Sequence, residues 1–80
     1  MEKQILEQKI KGIMADILKV DSNSVNETTT SDTVETWDSL RHVSLILALE
    51  EEFNVEFDDD KIGELVSYMF IVKHISAKIN

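Results

Sequence analysis

The chain has 80 residues, 42% of them apolar, and 16 acidic residues against 8 basic ones, for a net charge of −8. That is enough apolar matter for one small core in a single domain spanning 1–80, and too much for a disordered tail. The acidity argues against a nucleic-acid binder, which needs a basic footprint. The absence of cysteine excludes disulfides, thiolate metal sites and a cysteine nucleophile, and two glycines with no proline exclude a Gly-rich phosphate loop.

The first predicted element is an amphipathic helix. Ile5, Leu6, Ile10, Ile13, Met14, Ile17 and Leu18 recur at three- and four-residue spacing. Gly12 sits inside it, at a cost of about 1 kcal/mol relative to Ala. Residues 21–37 then hold Asp21, Ser22, Asn23, Ser24, Asn26, Thr28, Thr29, Thr30, Ser31 and Asp32, which favour turns and caps. This segment reads as a long loop, pinned to the core by Val20, Val25, Val34 and Trp37.

A second helix is expected from Asp38 or Ser39 to about Phe53. Its buried stripe reads as Val43, Ile46, Leu49 and Phe53, widened by Leu45. Leu40, Ser44, Leu47, Ala48 and Glu51 fall on the other side, so the apolar arc is too wide for an ordinary surface helix. Either this helix is central or its outer face meets a partner. Asn54–Asp60 turns into an acidic run, and Asp58, Asp59 and Asp60 lead a short helix through Ile62 and Leu65. Ser67 is the expected N-cap of a last helix, whose stripe is Tyr68, Ile71, Val72, Ile75 and Ile79. Met69 and Phe70 fall off that stripe, with either the core or a partner open to them. The fold class is all-α: a small four-helix bundle, three helices longer and one short, with a long loop between the first two.

No apolar run approaches the roughly 20 residues that span a bilayer. The start of the chain lacks the apolar stretch of a secretion signal, so the expected location is the cytoplasm. Residues 38–60 carry eight acids against Arg41 alone, a net of −7. This is either a solvated face or a docking surface for basic partners.

Four constellations could carry chemistry. Asp38-Ser39-Leu40 reads by spacing as a helix N-cap, and alternatively as a modified serine, because a helix N-terminus favours a phosphate ester. Asp38, Ser39 and His42 superficially mimic a hydrolytic triad, without an oxyanion hole or a water-excluding pocket. Asp58-Asp59-Asp60 with Gly63 fails the calcium-loop spacing, since position twelve is Met69. His42 and His74 lack the spacing of a metal site.

The run from Trp37 to Phe53, with Asp38-Ser39-Leu40 at its head and Leu49-Glu50-Glu51-Glu52-Phe53 at its end, resembles the acyl carrier protein family. The likeness extends over the whole order of elements. It implies that Ser39 bears 4′-phosphopantetheine, installed from coenzyme A by a magnesium-dependent phosphopantetheinyl transferase. It implies a carrier with no catalysis of its own, holding acyl groups as thioesters for enzymes of a dissociated biosynthetic system. The reactive sulfur would come from the cofactor, which suits a chain without cysteine. A long acyl chain could retreat between the helices. Asp38, Leu40, Leu47, Glu50, Glu51, Phe57 and Asp59 match the family's docking positions by place. Arg41 and Ser44 depart from it, standing where the housekeeping fatty-acid carrier usually has acids. Trp37-Asp38-Ser39-Leu40 resembles stand-alone carriers of specialised pathways. The implied partners are the transferase and acyl-transferring or acyl-loading enzymes with basic docking surfaces, with no nucleic acid and no membrane, and the implied state is a monomer. Two alternatives stay open: an aminoacyl or peptidyl carrier, and an acidic helical adaptor that is never modified.

Overall fold

The computed structural model describes residues 2–79. Four α-helices follow one another: α1 (Lys3–Leu18), α2 (Ser39–Phe53), α3 (Asp59–Ile62) and α4 (Tyr68–Ile79). A single 3-10 turn, Ser22–Ser24, interrupts the long loop after α1. The bundle is the expected one, with three longer helices and one short.

The α1 stripe is Leu6, Ile10, Met14 and Leu18, spaced by four. It meets Leu45, Ile46, Leu49 and Phe53 of α2 and Tyr68, Ile71 and Ile75 of α4 in one core. Both long N-terminal helices stop in the same way. Lys19 and Asn54 adopt the left-handed conformation, at φ 59° and 53°, and their N–H groups return to Ala15 and Glu50 carbonyls. Asn tolerates that conformation and Lys does so at some strain.

The loop behaves as its composition predicts. Asp21 accepts from the Asn23 amide at 3.0 Å, and the Asn26 side chain accepts from the Thr28 amide at 2.9 Å. Thr30 and Thr33 bond reciprocally, amide to hydroxyl and hydroxyl to carbonyl. Val25 and Trp37 are buried, and Val20 and Val34 pack against the core half-buried. Thr29 is buried as well, its hydroxyl donating to the Ser24 carbonyl. One isolated antiparallel bridge, Thr30 to Ser67, ties the loop to the start of α4.

Two expectations need correction. Val43 is not on the buried stripe of α2 but 55% exposed. At about 100° per residue, the buried sector of α2 centres on His42, which takes the place given to Val43. The short helix ends at Ile62, and Leu65 enters the core from the turn beyond it. Ser67 is the N-cap of α4 as expected, its hydroxyl accepting from the Phe70 amide at 3.2 Å. Met69 and Phe70 face outward, 58% and 48% exposed.

Candidate functional site

The first turn of α2 concentrates the candidate residues. Asp38 is the N-cap, its carboxylate accepting from the Arg41 amide at 2.8 Å. Ser39 is therefore the first helical residue. Its side chain is exposed, and its hydroxyl has no hydrogen-bond partner among the described residues. The amides of a first turn lack intrahelical partners, and the positive end of the helix dipole adds to them. A nucleophilic hydroxyl thus stands where an attached phosphodiester is electrostatically favoured. A cleft of about 350 Å³ opens beside it, lined by Ser31, Trp37, Asp38, Ser39, His42 and Val66.

His42 does not serve Ser39 as a base. The Trp37 indole N–H donates to His42 Nδ1 at 3.1 Å, and His42 Nε2 lies 2.8 Å from the Ile62 carbonyl oxygen. An indole nitrogen only donates, so Nδ1 accepts and the ring proton sits on Nε2, donating to Ile62. Both ring nitrogens are occupied. A triad of Asp38, Ser39 and His42 has no base to offer, and the Asp38 carboxylate is already turned onto the Arg41 amide. His74 sits on α4 with Nδ1 bonded to the Phe70 carbonyl oxygen. Among the described residues no three His, Asp or Glu side chains converge as metal ligands.

The residues read as a docking surface divide. Asp38, Leu40, Ser44, Leu47, Glu51 and Asp59 are exposed. Arg41 and Glu50 are half-buried and engaged in structural bonds. Arg41 Nη1 donates to the Ile17 carbonyl at 3.1 Å, and Glu50 Oε2 accepts from the Phe57 amide at 2.9 Å. Arg41 thereby satisfies one of the orphan carbonyls that end α1, and Thr36 Oγ1 satisfies another at Leu18. Phe57 is a core side chain, 6% exposed, with the Lys78 ammonium 5.9 Å from its ring centroid. It offers no surface to a partner. Val43, not among the expected docking positions, is exposed between Leu40 and Leu47. Together the three form an exposed apolar ridge running down α2 from Ser39. The signal was present: positions 40, 43 and 47 recur at helical spacing.

The acidic character lies farther along. Glu51 and Glu52 line the shallow surface between α1 and α2 with Asp16, and Lys9 pairs with Glu52 at 3.4 Å. Asp59 and Asp60 occupy the first turn of α3, where the dipole favours them. Near Ser39 itself the outer face of α2 is apolar and neutral.

Residues 8–69 match the family model for the phosphopantetheine attachment site. The chain is 38% identical to an acyl carrier protein of Thermosynechococcus vestitus over 78 residues, covering 98% of this chain and 95% of that one. It is likewise 38% identical to an acyl carrier protein of Clostridium acetobutylicum over 71 residues, 88% of this chain and 91% of that one. Its fold is similar to the solved structure of the acyl carrier protein of Enterococcus faecalis, with a TM-score of 0.79 over 96% of this chain and 98% of that one at 21% identity.

Proposed function

This chain belongs to the acyl carrier protein family, and we propose that Ser39 bears its 4′-phosphopantetheine and that the chain delivers thioester-bound acyl groups to separate enzymes. The observation that carries this reading is the first turn of α2. Ser39 is exposed, has no hydrogen-bond partner for its hydroxyl among the described residues, heads a helix, opens on a cleft and lies inside the matched segment. The residues fit the group. When bound, it supplies a thiol at the end of a long arm, which no residue of this cysteine-free chain can supply.

In loading, the Ser39 hydroxyl attacks the pantetheine-bearing phosphorus of coenzyme A. An oxygen–phosphorus bond forms, the pyrophosphate bridge breaks and adenosine bisphosphate leaves. The hydroxyl proton goes to a base of the magnesium-dependent transferase, since His42 is occupied. The chain catalyses nothing itself. It raises the local concentration of a tethered substrate at an enzyme's site.

The partners are that transferase and acyl-loading or acyl-transferring enzymes of a dissociated cytoplasmic system, met by a monomeric single-domain carrier. Among the described residues no helix is long and apolar enough to cross a membrane. The exposed docking candidates Asp38, Leu40, Ser44, Leu47, Glu51 and Asp59 surround Ser39 or continue down α2 and α3. Arg41 and Ser44 place no acid on the two turns nearest Ser39, which weighs against enzymes tuned to acids there.

The test is intact mass after incubation with coenzyme A, magnesium and a broad-specificity phosphopantetheinyl transferase. Wild type gains one phosphopantetheine and folded Ser39→Ala gains none. An unmodified wild type, with the transferase of its own organism as well, leaves the acidic adaptor as the reading. Loading by an amino-acid-activating enzyme, and not by acyl-transferring ones, makes it an aminoacyl carrier.

A further inference from the structure

We infer that the relay from Trp37 through His42 to the Ile62 carbonyl is a latch that holds α3 against the first turn of α2, making His42 a positioning residue for the cleft beside Ser39. Apart from Ile62, which packs half-buried against the core, little else holds α3. It has four residues, far fewer than the roughly 12 a helix needs to persist alone. None of its residues is buried, and its N-cap, Asp58, makes no side-chain capping bond. Its other hydrogen bonds are local: Lys61 and Ile62 amides to Asp58, Glu64 to Lys61, Leu65 to Ile62. Its ion pair, Lys61 with Glu64, is local too. Among the described residues, the 2.8 Å contact from His42 Nε2 to Ile62 is the hydrogen bond that joins α3 to another helix.

The other end of the relay is fixed. Trp37 is 6% exposed and its ring stacks on His42 at 6.1 Å. The His42 amide bonds the Asp38 carbonyl at 2.9 Å within α2. Only one tautomer completes the chain, the neutral ring with its proton on Nε2. The Trp37 N–H selects that tautomer by requiring an acceptor at Nδ1. Trp37 and His42 stand two residues before and three after Ser39, and both line its cleft. The opposite wall is held independently, by the Ser31 amide on the Val66 carbonyl at 2.9 Å. No residue of α3 lines the cleft, so breaking the contact to Ile62 acts on the cleft by freeing the His42 ring, while Ser31 and Val66 stay paired.

One consequence rests on the proposed function. If Ser39 bears the arm, the latch sets how far the arm's thiol is sheltered. The latch itself does not depend on that.

The experiment is amide hydrogen exchange on the full unmodified chain, comparing wild type with His42→Leu, His42→Gln and Trp37→Phe. With His42→Leu, amides of Ile62, Glu64 and Leu65 exchange about ten-fold faster, while those of Met14 and Ile71 stay within about two-fold. His42→Gln can present an N–H near the Nε2 position and restores most of the protection. Trp37→Phe keeps a ring and removes the donor, and gives a smaller rise of about three-fold at the same amides. A rise spread evenly over the chain, or no rise at 62–65, overturns the latch. If His42→Leu fails to fold, His42→Gln and Trp37→Phe decide it: a rise confined to 62–65 in Trp37→Phe supports the latch, and none overturns it. Loaded chains, verified by mass, are then compared by thiol alkylation, about three-fold faster in His42→Leu. Equal alkylation rates overturn the sheltering of the thiol. Failure of wild type to load sinks the carrier reading and leaves the exchange result on the latch standing.

Discussion

Leu45 and Leu49 are wholly buried in α2, whereas Leu40 and Leu47, on the opposite side of the same helix, are 78% and 59% exposed, with Val43 at 55%. One helix thus carries two apolar faces, and the fold uses one of them. Burying a leucine gains roughly 1.5–3 kcal/mol relative to leaving it in water, so the inner leucines collect that gain on folding and the outer ridge, still in water, collects little of it. The two faces also differ in their surroundings. The inner one packs with side chains of α1 and α4 in one core. The outer one begins at Ser39 and passes neutral Ser44 before reaching Glu51. The comparison suggests that the inner face sets stability and the outer face sets which partners are met.

The sharpest way to break that division is at Leu49. Leu49→Ala removes a wholly buried side chain from the meeting point of the core helices and is expected to cost about 2–5 kcal/mol. The midpoint of denaturant unfolding reports it. A loss below about 1 kcal/mol would mean the interior relaxes around the gap, and the inner face would no longer be distinguished by its packing.

A second test of the interior uses Tyr68, the chain's one tyrosine. Burial, and then the neighbouring Glu7 carboxylate, which accepts from its hydroxyl at 3.2 Å, push its pKa up to about 12. Both disfavour the charged phenolate. A folded-state value above the unfolded one, about 10, means the native chain holds the proton more tightly. The associated stability is fully present below about pH 10 and is lost as pH rises through about 12. Ultraviolet titration of tyrosinate in the folded chain should give a midpoint near that value, and Glu7→Gln should lower it. A midpoint at the ordinary tyrosine value would show that the α1–α4 contact opens to water.

Much of the inner face was legible because it depends on period. The limits of α2, the α1 stripe, the Ser67 cap and the loop valines follow from spacing and local chemistry alone. What period does not contain is the distant partner. Arg41 and Glu50 look like surface charges in the sequence, yet they answer backbone groups stranded 24 residues before and seven residues after them in the chain. Phe57 stands between Glu56 and Asp58 and matches a docking position by place, yet the chain folds back and buries it. His42 is polar and Val43 apolar, so apolar spacing alone puts the stripe through Val43. The fold chose His42 because Trp37 and Ile62 satisfy both of its nitrogens, and a satisfied imidazole can occupy a half-buried site. The Ser39 site was legible in kind, as a serine heading a helix, and its wall was not, because the relay joins a loop, α2 and α3.

The smallest expected effect on stability is also the one that tests the outer face. Leu47 touches solvent over most of its surface, so Leu47→Ala should change unfolding free energy by no more than about 0.5 kcal/mol. The ridge predicts a different result for transfer onto Ser39. A partner that seats Leu40, Val43 and Leu47 in an apolar socket loses part of that contact, and kcat/KM for phosphopantetheine transfer should fall about three- to ten-fold, mostly through KM. The two readouts on one variant separate the faces, since an inner-face change moves stability first. Added salt sharpens the assignment. A ridge contact is apolar and weakly screened, whereas docking through Glu51 and the acids of α3 weakens as ionic strength rises. If Leu47→Ala leaves transfer unchanged while Glu51→Gln slows it in a salt-dependent way, the transferase reads the acidic end of α2. The exposed leucines near Ser39 would then have no part in loading.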